Sequence, residues 1–393
     1  MNNNTKIKKL LKMKRPKSSL TQTVKTVFYA SLLASPFLLS DAHADLYFSA
    51  KVAGPVTNIY SVNDDGKLNK LTDNIRWRDL EHNVSSKGLV AYASNQEKST
   101  AVNMQRKSEN FNIYLLNPAD GKSIALTTST DQERTPKFSP DGSQLAFISG
   151  GAEGQTLKVM DLKSKKVKAL SSGVEIYDFS WSPSAERIVL AKTNGEQSTI
   201  DVVTLSTGAS KEIISVPMKK PAEKNGKSDF FGLVTSASWS PKEDNIAYIL
   251  HPYKKNVSRQ LHLYNLKTKK TVNISGNKVQ VQAPIDWSDD GEQLLYSALV
   301  DYKYYYNEQT HRKVYEGGMH VFLSDLSGNG KQITSGDHLF KHPVFSPDEK
   351  QIGFLYADEL RNRTLALKTM KIDGGDQKTL NSQVAQSGSL VWK

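Results

Sequence analysis

Apolar and polar residues alternate along this chain in short runs that stop at clusters of Ser, Pro, Asp and Gly, the pattern of half-buried β-strands between tight turns. The segment RTPKFSPDGSQLAFIS, Arg134 to Ser149, is one copy of a recurring unit. It returns as DFSWSPSAERIVLA from Asp178, SASWSPKEDNIAYI from Ser236, PIDWSDDGEQLLYS from Pro284 and HPVFSPDEKQIGFL from His342. Each copy reads aromatic, Ser, usually Pro, a polar turn, then an alternating apolar run. Pro presets φ, Asp and Ser bond back to the local backbone, and Gly takes the positive-φ position, so each copy predicts strand, turn, strand. Units about 40 to 60 residues apart read as propeller blades.

Seven inner strands are expected to end near Val84, Phe138, Trp181, Trp239, Trp287, Phe345 and Trp392. Second strands follow at Leu46–Val52, Leu89–Ser94, Gln144–Ser149, Arg187–Thr193, Asn245–Leu250, Gln293–Leu299 and Gln351–Ala357. Fourth strands are expected to close on pairs such as Leu71-Thr72, Leu126-Thr127 and Ile333-Thr334. The fold class is therefore all-β, a seven-bladed β-propeller, with six blades as the alternative because VSSKG makes blade two the weakest copy. The first strand after residue 45 is a second strand and Ser389–Trp392 reads as a first strand. Pairing the two would complete one blade and close the ring. One aromatic per blade at a fixed place is what packing between blades requires, so Phe138, Trp181, Trp239, Trp287 and Phe345 are assigned to the core.

Residues 1–44 read as a signal peptide and 45–393 as the propeller. Eight Lys and Arg precede an apolar run from Val27 to Leu39, and Ala42-His43-Ala44 has the form of a signal-peptidase site. This thirteen-residue run, broken by Pro36, is shorter than the ~20 residues that span a bilayer. The expected address is periplasmic or secreted, with no transmembrane span. Without this segment the chain has 44 bases (52 minus 8) and 39 acids (40 minus 1), a net charge of +5 rather than +12. That removes most of the basic excess that would suggest nucleic acid, and no nucleic-acid partner is expected. With no cysteine, disulfides and thiolate chemistry are excluded.

These repeats resemble the TolB-type β-propeller repeat family, across essentially all of residues 45–393. The resemblance implies the fold and an interaction role in the cell envelope. That family's best-known member carries an α/β domain before a six-bladed propeller, whereas here blades begin at once. The repeats are also similar to the oligogalacturonate lyase family, which uses metal-binding histidines, and to the propeller of prolyl oligopeptidases.

Insertions at Asn95–Asn110, His251–Ser258, Asp301–Gly317 and Pro217–Leu233 are expected on one face of the propeller. Tyr302, Tyr304, Tyr305 and Tyr306 with His311, Arg312 and Lys313 form the densest group, joined by Tyr253, Lys254, Lys255, Phe230 and Phe231 as candidate partner-binding residues. Tyr and Arg dominate interface hot spots. The same tyrosines also suit a long hairpin that alternates between packing and solvent, or a surface for an anionic glycan. No G-x-S-x-G, H-E-x-x-H, P-loop or G-x-G-x-x-G is present, so no catalytic residue and no cofactor are assigned. His82, His338 and His342 are weak metal candidates. The functional expectation is a monomeric, non-catalytic envelope scaffold binding a protein or peptide; a metal-dependent lyase or binding protein for an acidic polysaccharide is the alternative.

Overall fold

The computed structural model describes residues 44–63, 65–96, 110–151, 153–218, 231–242, 244–253, 257–385 and 390–393. Among them every regular element is a β-strand. The strands form five four-stranded antiparallel sheets and one larger sheet, in which two such groups touch through a single parallel bridge between Met319 and Leu339. With each antiparallel group taken as a blade, the described strands make seven. First strands run Asp79–Val84, Gln132–Phe138, Glu175–Trp181, Gly232–Trp239, Gln280–Trp287 and Leu339–Phe345, and Val391–Trp392 supplies the remaining one. The architecture is an all-β propeller.

The turns after the first strands form as their residues dictate. Ser139 donates its amide to the Gln144 carbonyl (2.9 Å), and its Oγ accepts the Gln144 amide (3.0 Å) while Gly142 holds φ at 68°. Ser346 and Ser288 accept the amides of Gln351 and Gln293 in the same way, each at 2.9 Å. Where the repeat has no glycine, Ala185 and Glu349 take the positive φ, at 59° and 56°. The outer strands are shorter than expected and stop before the Leu-Thr pairs, at Lys70, Ala125 and Gln332. Instead Thr72, Thr127 and Thr334 accept the amides of Ile59, Ile113 and Val321 through Oγ1 at 2.8 to 3.1 Å. A side chain replaces the next ladder bond.

Neighbouring groups hold each other through apolar clusters and a recurring polar bond. Phe179 and Trp181, for example, are buried with Ala146, Ile148, Leu157 and Val159 of the preceding group. The residue just before the last one of a first strand reaches forward to the next group. Asn83 accepts the Phe138 amide (2.9 Å), Ser180 the Trp239 amide (3.2 Å) and Asp286 the Phe345 amide (2.8 Å). Lys137 O and Ser238 Oγ accept the indole N–H groups of Trp181 (3.0 Å) and Trp287 (3.1 Å).

Burial pushes the Asp286 carboxyl up to about 6, against the Phe345 amide, which favours the charged form. Its ordinary value is 3.8, so between about pH 4 and pH 6 the unfolded chain ionises there while the folded one does not, and stability falls as pH rises. Asp286→Asn keeps the acceptor and removes the charge. It is expected to stabilise the protein at pH 8 by up to about 3 kcal/mol and to change little at pH 4. Urea unfolding at both pH values checks this, and an equal effect at the two would contradict it.

The ring is closed by its ends. Leu46 pairs with Trp392 and Tyr47 with Val391, while the amides of Asp45 and Lys393 each donate to the other's carbonyl at 2.7 and 3.1 Å. Leu46, Phe48 and Trp392 are buried with Leu355, Leu365 and Leu367 of the last group. A Cβ built on Gly353 would lie 2.5 Å from the Leu46 side chain and 3.1 Å from the Trp392 ring, so only glycine lets these two side chains press onto the strand.

Candidate functional site

Connections from second to third strands emerge on the face opposite the Ser-Pro turns. On that face Gln293–Asn307 and Arg312–Asp325 continue past their neighbours as a two-stranded ribbon. The insertion at Asp301–Gly317 is the long hairpin that its tyrosines suit: Tyr and Val favour a pleated, half-buried surface, and alternation carries the ladder on to Asn307↔Arg312. Asp301, at φ 52°, marks a bulge at the ribbon's base. At the tip Asn307 Oδ1 accepts the amides of Gln309 (3.0 Å) and Thr310 (2.9 Å), and His311 closes the turn at φ 50°.

The tyrosines divide by this alternation. Tyr315 is half-buried, stacked on Tyr304 at 6.2 Å and beside Tyr302 at 6.5 Å, with the Arg361 guanidinium 4.5 Å from its ring centre on the other side. Tyr305 donates its hydroxyl to Glu316 (3.0 Å). Tyr304 is 65% exposed and Tyr306 50%.

Between the ribbon and the last group lies a groove of about 670 Å³. One wall is the returning strand from Arg312 to Tyr315, with Thr310 and Gly317. The other is Asp337 and the loop Glu359–Arg361. Arg312, Lys313 and Arg361 face Asp337 and Glu359 here, all exposed, and none of the five is in an ion pair among the described residues.

The other candidates do not join this group. Tyr253 sits against Phe231 (6.0 Å) and His251 (5.6 Å) in a separate aromatic contact. Phe230, Lys254 and Lys255 lie outside the described residues, as does most of Asn95–Asn110. His82 is buried, its Nδ1 3.4 Å from Ser49 Oγ, and burial pushes it down to about 4. His338 places Nδ1 3.1 Å from the Asp358 carbonyl and packs on Tyr356 at 5.6 Å. Of the weak metal candidates, His82 and His338 are held in their own packing, and among the described residues no three His, Asp or Glu side chains converge as a metal site.

The first strands also hold a recurrent bulge, visible as a register shift in each of the six long ones. Three residues before the terminal residue stand Glu81, Thr135 and His342, at φ 53°, 55° and 52°, with Pro284 after a cis bond at the same place. Glu81 uses this position to pair with Arg134, whose Nε lies at 2.9 Å, and to accept the Thr135 amide at 2.8 Å. Sequence reasoning missed Glu81, Arg134, Asp337, Glu359 and Arg361. For Arg134, its place four residues before the repeat's Phe138 was an available signal, while the copy that holds Glu81 ends on Val84 and lacks the aromatic. For the others no local pattern exists, since they meet the ribbon only through the fold.

No family model matches the chain. Among solved structures, TolB from Acinetobacter baumannii superposes with a TM-score of 0.50 at 15% identity, over 88% of this chain and 66% of that one. The fold is TolB-like. A Mycobacterium tuberculosis puromycin-hydrolyzing peptidase superposes with a TM-score of 0.59 at 10% identity, over 87% of this chain and 53% of that one.

Two curated relatives share sequence locally. The uncharacterized peptidase YuxL of Bacillus subtilis is 30% identical over 115 residues, 28% of this chain and 17% of that protein. Dipeptidyl-peptidase 5 of Porphyromonas gingivalis is 27% identical over 135 residues, 32% of this chain and 19% of that protein. The chain thus spans under a fifth of the length of the curated relatives it matches. Their similarity overturns the expectation of a non-catalytic scaffold: the proteins it matches locally are peptidases.

Proposed function

We propose that this is a peptidase-type propeller protein whose propeller receives peptide substrate. The observation that carries this is the local identity to two peptidases, 30% over 115 residues in the first. The groove beside the ribbon supports it. A peptide offers a polar backbone, charged ends and side chains of both kinds; the groove offers a strand edge, both signs of charge and an aromatic wall. Ligand binding to the folded state raises the unfolding temperature, and the rise grows with the logarithm of ligand concentration above Kd. A pool of short peptides is therefore expected to raise it, and polygalacturonate to leave it unchanged. A shift with the polymer and none with peptides would overturn the reading.

The same proposal includes export. The basic segment, the apolar run and Ala42-His43-Ala44 support cleavage after Ala44. N-terminal sequencing of the protein from its host's envelope or medium is expected to begin at Asp45. A start at Met1 would contradict it.

A further inference from the structure

The groove has a feature that goes further than peptide handling in general. All its lining from the ribbon comes from the turn and the returning strand, none from Asp301–Asn307, so it lies along the strand edge that faces away from Gln293–Asn307. From Arg312 to Gly317 that edge has no strand partner among the described residues; pairing on that side resumes only at Met319 with Leu339. An unpaired edge is a template for an extended chain, because its free N–H and C=O groups match those of an added strand whatever its sequence. At about 3.3 Å per residue the stretch accommodates some five or six residues of peptide.

Charge sets the direction. Arg312 and Lys313 stand at the tip end of the edge. Asp337 stands at its base, next to Gly336, whose carbonyl lies 2.5 Å from a Cβ built on Gly318. Arg361, held over Tyr315, adds a third positive charge midway, and Glu359 lies beside it on the far wall. A peptide with its negative end toward the tip and its amino end toward Asp337 runs opposite to Arg312–Gly317. That is the antiparallel arrangement, in which the ladder bonds are straight.

We propose that the groove binds an extended peptide with an acidic C-terminal end, added as an antiparallel strand to the edge Arg312–Gly317. This rests on the peptide reading above and names the class of peptide and its direction. Binding comes from the main chain, and selection comes from the charge at the ends.

The test uses the full chain and the hexapeptide Lys-Thr-Val-Thr-Val-Glu, with fluorescein on its Lys side chain, read by fluorescence anisotropy. Two N-methylated versions, one at residues 2, 4 and 6 and one at 3 and 5, block opposite edges of the peptide. One version is expected to lose at least tenfold in affinity and the other to stay within threefold. The exposed double substitution Lys313→Glu, Arg361→Glu should weaken the parent peptide at least tenfold and tighten a version ending in Lys-amide, with the β-sheet circular dichroism spectrum unchanged. If the parent binds but tolerates both methylation patterns and the double substitution equally, strand addition in this groove is wrong while peptide handling stands. If the chain neither binds nor cuts this peptide or a pool of short peptides, both are wrong.

Discussion

Trp392→Ala is expected to destabilise the protein by about 3 to 5 kcal/mol, the usual cost of emptying a large aromatic site. The indole is 7% exposed and lies beside Leu46 against the strand through Gly353. Removing it leaves the first and last groups in contact through less apolar surface and strips the short strand Val391–Trp392 of its anchor. The closure is then weakest where the chain's two ends meet, and unfolding should start there. Trp392→Phe separates packing from polarity. The indole N–H has no partner among the described residues, so Phe keeps the ring and drops a buried unpaired donor. Its cost should stay below about 1.5 kcal/mol. Chemical denaturation checks both, and equal losses for Ala and Phe would mean that ring packing is not what closes the propeller.

Acid should destabilise the protein well before its ordinary carboxylates protonate. Burial pushes His82 and His262 down to about 4 from 6.5. Both are neutral in the fold and protonate in the unfolded chain as pH falls below about 6.5, so their stabilising contribution is present at pH 7 and above and is lost between 6.5 and 4. For the fully buried His82 the loss is about 3 kcal/mol. Asp286 works in the opposite sense over an overlapping range, which makes the single substitution more informative than the wild-type profile. His82→Gln should flatten the slope between pH 6.5 and 4.5 by about that amount. An unchanged slope, measured by urea midpoints across this range, would show that His82 is not held neutral.

The fold was legible because its determinants are local and repeated. The Ser-Pro-Asp-Gly turns announce themselves through residues whose side chains make the turn, and the aromatic before each one marks where neighbouring groups pack. Even the closure could be read, since an apolar run reaching Trp392 has somewhere to go only if it pairs with Leu46. The Leu-Thr pairs were misjudged as strand because Thr72, Thr127 and Thr334 make a ladder-like bond with a hydroxyl, which alternation cannot distinguish from backbone pairing.

The candidate site was legible only by half. Tyr302 to Lys313 stood out as dense, and the alternation of their tyrosines already suited the long hairpin that pairs Tyr304 with Tyr315 and Tyr305 with Val314. Arg361 and Asp337 come from segments with no distinguishing pattern, and only the ring brings them to Tyr315 and Gly317. Function was the least legible layer. The similarity to peptidases is local, about 30% identity over 115 residues, and neither charge nor motif spacing within this chain points to it.

The most direct test of the peptidase-type reading is to incubate the full chain with a defined pool of synthetic hexapeptides and to analyse the retained and released fractions by mass spectrometry. The account predicts that a distinct subset is held back or shortened at a defined bond, enriched in peptides with an acidic C-terminal residue. A pool that passes through intact and in its starting proportions would contradict it.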